Sequence, residues 1–445
     1  MRYTLLSLIA LLTIGANRVS AQQLSTYQFS LQDAIEYALK HQSGVLNAEL
    51  DVQMAKNKVR ETTAMGLPQV NTTFNFQDFL KVPTSLIPGE FFGEPAGTFI
   101  PVQFGVKYQS SAGVEVSQLI FDGSYLVGLQ AAKTFKELSV RNSKRTQIET
   151  TVAVTKAYYS VLVSNEQLNL LDANLSRLKK SLFDTEAYYK NGFVEKVDVD
   201  RLRVLTNNLE TERQNVLRLL ELNTQLLKFQ MGMPIEANLK TTDTIQQFTV
   251  DKEMSEIDSA AYTKRIEYSL LETQKKLNQL DLKRYKSQFL PSIAAFGAFS
   301  RSYQNNSFSN LYDTSFPTQL VGLRLSLPIF TSGQRIYRIK NAQIEVFKSE
   351  NNLENLKNGI SLEIAQAKTN YLNGLNSLES QKRNMELSQE ILRVSRVKYE
   401  QGVGSSLEVT SAETSLKESQ NNYIKALYDL LINKVNLDRA LGKIN

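Results

Sequence analysis

Two periodicities alternate along this chain. Leu168, Leu171, Leu175, Leu178 and Leu182 are spaced by three and four, and Tyr371, Leu378, Met385, Leu392 and Tyr399 recur every seventh residue. Both are the apolar seam of helices wound around one another. No Gly or Pro interrupts the chain between Gly128 and Gly192. That predicts a helix over 124–190, about 95 Å long at 1.5 Å per residue, where an ordinary helix has about 11–12 residues. A second long helix is expected over 334–401. Each is followed by a Gly-containing turn and a shorter helix, 197–231 and 405–441, and each is preceded by another helix-like pattern, 30–65 and 253–289. Two short helices laid end to end match one long one at the same rise. Each half therefore reads as a long helix paired with two stacked short ones.

Between the helices the period falls to two. Val70, Thr72, Phe74 and Phe76 alternate with Gln69, Asn71, Thr73 and Asn75. Ala112, Val114 and Val116 oppose Gly113, Glu115 and Ser117, and Val321, Leu323, Leu325 and Leu327 oppose Gly322, Arg324 and Ser326. A third segment, Ile293 to Ser300, alternates poorly because both faces are apolar or small. Strands are thus expected near 67–77, 108–121, 290–301 and 320–330, separated by loops at 78–107 and 301–319. Ten of the 52 residues from Phe74 to Tyr125 are Phe or Tyr, an enrichment that membrane-interface girdles or plain core packing would both produce. An apolar outer face and a polar inner one suit a membrane β-barrel. Four strands are fewer than the eight of the smallest such barrels, and an open edge in lipid leaves backbone groups unsatisfied. Three chains sharing one wall of twelve strands would close it.

The two halves repeat one plan. YKNGFVEKVDV at 189–199 matches YEQGVGSSLEV at 399–409, and at the same offset Gly232 falls on Gly442, Leu217 on Leu427 and Leu220 on Leu430. GVEVSQLIFDGS at 113–124 resembles GLRLSLPIFTSG at 322–333, and Leu67-Pro68 has its counterpart in Leu290-Pro291. The chain is a duplication, with repeats over 22–232 and 253–445 and a linker over 233–252. Ahead of them, Arg2, a short apolar run from Leu5 to Leu12 and the small-x-small Val19-Ser20-Ala21 have the form of a signal peptide over 1–21. With no cysteine, neither a disulfide nor a thiolate metal site is expected. The 51 basic and 45 acidic residues are interspersed, for a net charge of +6. That mixture argues for solvated helix faces and against a nucleic-acid surface.

These features together resemble the TolC family of outer-membrane efflux proteins across essentially the whole chain after the signal peptide. The resemblance rests on an aromatic residue, a Gly-containing turn and an acid beside Val, once per half: Tyr189, Gly192, Val197, Asp198, Val199 and Tyr399, Gly402, Leu407, Glu408, Val409. The segment Ser85–Tyr108 is similar to the first external loop of this family's Bacteroidetes members. The fold class so implied is mainly α with a small β part. An internally duplicated coiled-coil α-barrel of long helices joins four strands per chain, which contribute to a trimeric twelve-stranded outer-membrane β-barrel. The implied function is a trimeric exit duct through outer membrane and periplasm, for a tripartite efflux or type I secretion system. The implied partners are two further copies, outer-membrane lipid, a periplasmic adaptor and, through it, an inner-membrane transporter of RND or ABC type.

The resemblance also implies site residues. The tips, with Gly192, Asp198, Gly402, Gly404 and Ser405, would meet the adaptor, and Asp198 would be a helix-initiating acid. The family's periplasmic constriction carries two acids in the second repeat; the first falls on Glu408 and the second on Ser411, so one is missing here. A basic residue of the family is replaced by Gly404. Glu115 and Arg324, on polar strand faces, are expected in the barrel lumen, where a mutual ion pair is one option. No cofactor or metal is implied. An enzyme is disfavoured: His41 is the only histidine and sits between Lys40 and Gln42, and no HExxH, G-x-S-x-G or phosphate-binding glycine loop occurs. A coiled-coil scaffold or adaptor would explain the heptads but not two full copies flanking strand pairs.

Overall fold

The computed structural model describes residues 26–245 and 261–444. The expected signal peptide, residues 246–252 of the linker and the start of the helix expected from 253 lie outside them. Helices α1 (Leu31–His41), α2 (Ser43–Ala64), α3 (Gly123–Lys190), α4 (Lys196–Met231), α5 (Ile266–Ser287), α6 (Gln334–Glu400) and α7 (Ser406–Ala440) carry most of the chain. Strands β1 (Thr26–Phe29), β2 (Gln69–Asp78), β3 (Thr84–Pro88), β4 (Phe99–Gln103), β5 (Tyr108–Phe121), β6 (Asn238–Thr241), β7 (Ser292–Asn305) and β8 (Ser315–Ser326) lie between them. Among the described residues no helix is long and apolar enough to cross a membrane. The chain divides into two compact units. One holds residues up to Ala48, Lys144–Ile266 and Asn358–Asn445; the other holds Glu49–Ser143 and Glu267–Lys357.

The first unit is built on heptad seams. Leu171 and Leu178 of α3 are buried against Leu202, Leu209 and Val216 of α4, with Leu168, Leu175 and Leu182 beside them. In the second repeat Leu392 of α6 packs on Val409, Ala412 and Leu416 of α7, flanked by Met385 and Tyr399. A larger core gathers Val154, Tyr158 and Leu162 of α3, Leu227 and Met231 of α4, Ala34 and Ala38 of α1 and Leu431 of α7. Over it lies a parallel pair, β1 with β6. The Tyr158 hydroxyl donates to the Phe29 carbonyl (3.0 Å) and to Asp243 (3.0 Å), and Asp243 also accepts from the Leu31 backbone N–H (2.8 Å). Burial raises the Tyr158 phenol well above its usual range and pushes that of Tyr159 up to about 12.

The helix expected over 30–65 is interrupted. Gln42 is extended and ends α1, its N–H donating to the Ala38 carbonyl, while its side chain accepts from Val45 N–H (3.0 Å) to start α2. The break packs against the end of α4. Gly232 ends that helix in the left-handed region (φ 70°), where a Cβ would stand 2.7 Å from Gln42 Cα and from the His41 carbonyl oxygen. Gly442 does the same after α7 (φ 66°), against the Lys264 carbonyl at 2.9 Å, just before α5 begins. The repeat-related glycines thus seat two backbones in direct contact at equivalent breaks.

The second unit carries an antiparallel four-stranded sheet in the order β2-β5-β7-β8, so β2 and β8 form its free edges. Pro68 and Pro291 stand immediately before β2 and β7, where proline disfavours continuation of the preceding helix. Gln118 of β5 donates to the Gly66 carbonyl (2.6 Å) and Tyr125 of α3 to the Thr63 carbonyl (3.1 Å), tying the end of β5 and the start of α3 to the end of α2. Beside the sheet, Asn278 of α5 bonds Ser349 of α6 (2.7 Å) and Lys275 pairs with Glu350 (3.0 Å). The loop expected at 78–107 contains a hairpin, β3 with β4. Its prolines Pro88 and Pro101 sit at strand positions that a two-stranded ribbon tolerates. The loop expected at 301–319 is shorter because β7 runs on to Asn305 and β8 begins at Ser315.

Candidate functional site

Strand register sorts the sheet into two faces. Val70, Thr72, Phe74 and Phe76 pair with Val116, Val114, Ala112 and Ser110. Val116, Val114 and Ala112 in turn face Gly297, Phe299 and Arg301, and Ile293, Ala295 and Gly297 pair with Leu325, Leu323 and Val321. Directly paired residues point to the same side, so these form one largely apolar face, and Val321 on it is 90% exposed. The opposite face carries Gln69, Asn71, Thr73 and Asn75 across from Ser117, Glu115, Gly113 and Ser111. The poor alternation of the third strand is resolved here. Phe296, on the polar side, lies over Gly322, where a Cβ would come within 2.8 Å of its ring.

Glu115 and Arg324 share the polar face: Glu115 is opposite Ala298 and Arg324 opposite Ala294. They do not pair. The Arg324 guanidinium lies 5.2 Å from the Phe296 ring centroid, a cation–π contact. Their register positions are four residues apart, which separates them by about 13 Å along the strands.

The first unit holds the two helix tips, each built by a left-handed glycine. At the first, Gly192 (φ 79°) lets its N–H reach the Tyr189 carbonyl and the Phe193 N–H reach that of Tyr188, a Schellman-type ending. Glu195 and Asp198 then cap α4 reciprocally. At the second, Gly402 (φ 74°) plays the same part, with Gly402 N–H on the Tyr399 carbonyl and Val403 N–H on that of Lys398. Ser405 caps α7 by accepting from Glu408 N–H (3.2 Å). Gly404 is held close: a Cβ would lie 2.9 Å from Lys398 Cβ and 3.0 Å from the Tyr399 backbone nitrogen. A side chain at that position would have to displace the end of α6.

The structure brings Asp198 to the other tip. Ser406 Oγ donates to it at 2.6 Å, and Arg201 lies 3.5 Å away. Ser406 was not legible as a partner, since 208 residues separate the two. Glu408 and Ser411 are exposed on successive turns of α7. The most exposed apolar side chains of the tips are the repeat-related pair Phe193 and Val403, each 79% exposed. The alternation rules pass over them because they stand in turns. Among the described residues no group of His, Asp or Glu is placed to hold a metal, and exposed His41 is stacked on Tyr37 with its Nδ1 2.8 Å from the Tyr37 carbonyl.

Above the tips lies a charged cluster between three helices. Glu413 of α7 is 6% exposed and accepts from Arg396 of α6 (2.7 Å), which also donates to Ser181 of α3 (3.1 Å). Arg177 of α3 bonds Asn174, which donates to Gln420 of α7. Burial raises the Glu413 carboxyl above the usual range, against the pull of Arg396 and Arg177. Burial lowers Arg177, with Arg396 adding to the effect and Glu413 opposing it.

The family model described as "Outer membrane efflux protein" matches residues 34–226 and 259–443. The chain is 25% identical over 354 residues to the outer membrane protein TolC of Escherichia coli strain K12, covering 76% of this chain and 70% of that one. Its fold matches the crystal structure of CusC with a TM-score of 0.75 at 20% identity, over 94% of this chain and 96% of the other. It also matches VceC from Vibrio cholerae with a TM-score of 0.71 at 15% identity, over 93% and 96%.

Proposed function

Because the chain belongs to the outer membrane efflux protein family, we propose that three copies join their sheets, β8 of one against β2 of the next, into a twelve-stranded barrel in the outer membrane. The protein is an outer-membrane efflux channel subunit, and its family is one of channels. The observation that carries the trimer is the sheet itself: four strands, two unpaired edges, one apolar face and one polar face. A sheet with open edges cannot stand in lipid, and its apolar face has no cover within the second unit. Closure by identical copies supports both edges at once. Glu115 and Arg324 then face the lumen.

In this reading the tips form the periplasmic end. Phe193 and Val403 offer apolar surface to an adaptor, on turns shaped by Gly192, Gly402, Gly404, Ser405 and Asp198. The adaptor would connect the duct to an inner-membrane transporter, for efflux or type I secretion. Glu408 lines the constriction as a ring of three carboxylates, with Ser411 in place of a second ring. The Asp198–Ser406 bond supports a latch between the two tips that needs no basic residue at Gly404.

In-cell cross-linking of native outer membranes tests the assembly. The expected product is a trimer that stays with the membrane after a carbonate wash; a monomer that washes off overturns the proposal. For the gate, Glu408→Gln in a planar bilayer should change single-channel conductance and weaken divalent-cation block. Unchanged values remove Glu408 from the constriction.

A further inference from the structure

One cation breaks the apolar face of the sheet. Arg301 of β7 takes the same side as Val116, Val114 and Ala112, and it is exposed. Its neighbours there are Ala112 and Pro317 across the two ladders and Phe299 and Tyr303 along the strand. None of the four diagonal positions, on β5 and β8, is acidic. Among the described residues Arg301 forms no ion pair, and its guanidinium lies 5.9 Å from the Phe299 ring centroid. Asp78, at the loop end of this face, is four register positions and two strands away, about 13 Å along the strands alone, and has Lys107 beside it.

The height of Arg301 on the face sets what can meet it. β2 follows α2 and β5 leads into α3, so one end of the sheet adjoins helices and the other carries the loops. Ile293 and Leu325 pair near the helix end. Arg301 stands eight residues further along β7, about 26 Å at 3.3 Å per residue. A strand tilt of 35–45° turns that into about 20 Å of height, against an apolar band about 25 Å tall. Toward the loops, Tyr303 meets Tyr312 edge-on at 5.1 Å, and Phe76, Tyr108 and Phe308 form a second ring cluster. Aromatic belts of this kind mark the level of lipid headgroups. Arg301 therefore occupies the loop-side rim of the apolar band, where a charge costs far less than at mid-depth. A guanidinium keeps its proton even there, and it matches the paired oxygens of a phosphate.

Resting on the reading that this face meets outer-membrane lipid, we propose that Arg301 binds the phosphate of an outer-leaflet glycolipid. With the helices on the periplasmic side, the loop end of the sheet is the external end. The lipid of that leaflet carries its phosphates at the base of the headgroup, level with the rim of the apolar band. The guanidinium donates to two phosphate oxygens, and Phe299 and Tyr303 flank it along the strand. Three copies give three such sites around the barrel.

The test is native mass spectrometry of the delipidated full-length protein in detergent, titrated with bisphosphorylated lipid A or with the same lipid after phosphatase treatment. Up to three molecules of the phosphorylated form are expected per trimer, bound about tenfold or more tighter than the dephosphorylated form. Arg301→Gln should lose that preference. Arg383→Gln, which removes one exposed charge from α6, should keep it. Equal binding of the two lipids by wild type, an undiminished preference in Arg301→Gln, or the same loss in Arg383→Gln would each overturn the assignment. The same spectra weigh the assembly: a trimer without the preference sinks this site alone, whereas a monomer sinks the barrel on which it rests.

Discussion

Four glycines in two repeat-related pairs allow backbone strain and backbone collision to be separated within one protein. Gly192, Gly232, Gly402 and Gly442 all have φ between 66° and 79°, so alanine at any of them must adopt the left-handed region, at a cost of about 1–2 kcal/mol. At Gly192 and Gly402 nothing lies within 4 Å of an added Cβ, and that cost is the whole effect. At Gly232 the new carbon would stand 2.7 Å from Gln42 Cα and the His41 carbonyl oxygen, and at Gly442 2.9 Å from that of Lys264. Carbon contacts normally settle near 3.5–4.0 Å, so backbone must retreat by several tenths of an ångström at both. Overpacking of this kind adds about 1–3 kcal/mol. The expected order of destabilisation is Gly232→Ala, then Gly442→Ala, then the two tip variants together. Thermal melts followed by helical circular dichroism at one scan rate would establish it. Equal losses at all four positions, or larger losses at the tips, would refute the close-contact reasoning.

Two further outcomes are expected. Glu413 has a raised carboxyl pKa in the folded protein; its contribution to stability is therefore fully present below the ordinary carboxylate range and lost as pH rises through the higher folded value. Melts of wild type minus Glu413→Gln should thus fall from pH 4 to pH 7, and a rise would mean that attraction to the arginines outweighs burial. Tyr158→Phe removes the hydrogen bonds to Phe29 and Asp243. It should cost about 1–3 kcal/mol and speed hydrogen exchange in β1 and β6, where no change would place the β1–β6 pair's support elsewhere.

The seams and the sheet faces were legible because each depends on one short-range period. Leu171 and Leu178 are core residues for the reason their spacing gives, and Glu115 and Arg324 share a face because each alternates with apolar neighbours on its own strand. The break at Gln42 was not legible: Gly44 stands two residues beyond it, but an isolated Gly inside a helical pattern is tolerated, and the backbone that packs against the break, at Gly232, is 190 positions away in sequence. The hairpin between β3 and β4 was hidden by prolines that ordinarily argue for a loop. At the tips, Gly192 and Gly402 announced their turns, whereas the Asp198–Ser406 bond depends on two hairpins meeting. The cluster of Arg177, Arg396 and Glu413 was invisible for a related reason. On a long polar helix each looks like one more solvated charge, and only three-helix packing buries them.

The sheet's two unlike free edges, β2 and β8, bear on genetics. In a ring closed by such edges, a chain damaged only at β8 can still engage a sound neighbour through β2 and take up a place. One faulty copy leaves the proposed three-copy ring unsealed, so with equal expression of sound and faulty chains roughly one assembly in eight escapes. An edge mutation should therefore be dominant over the wild-type allele, whereas a truncation that removes the sheet should be recessive.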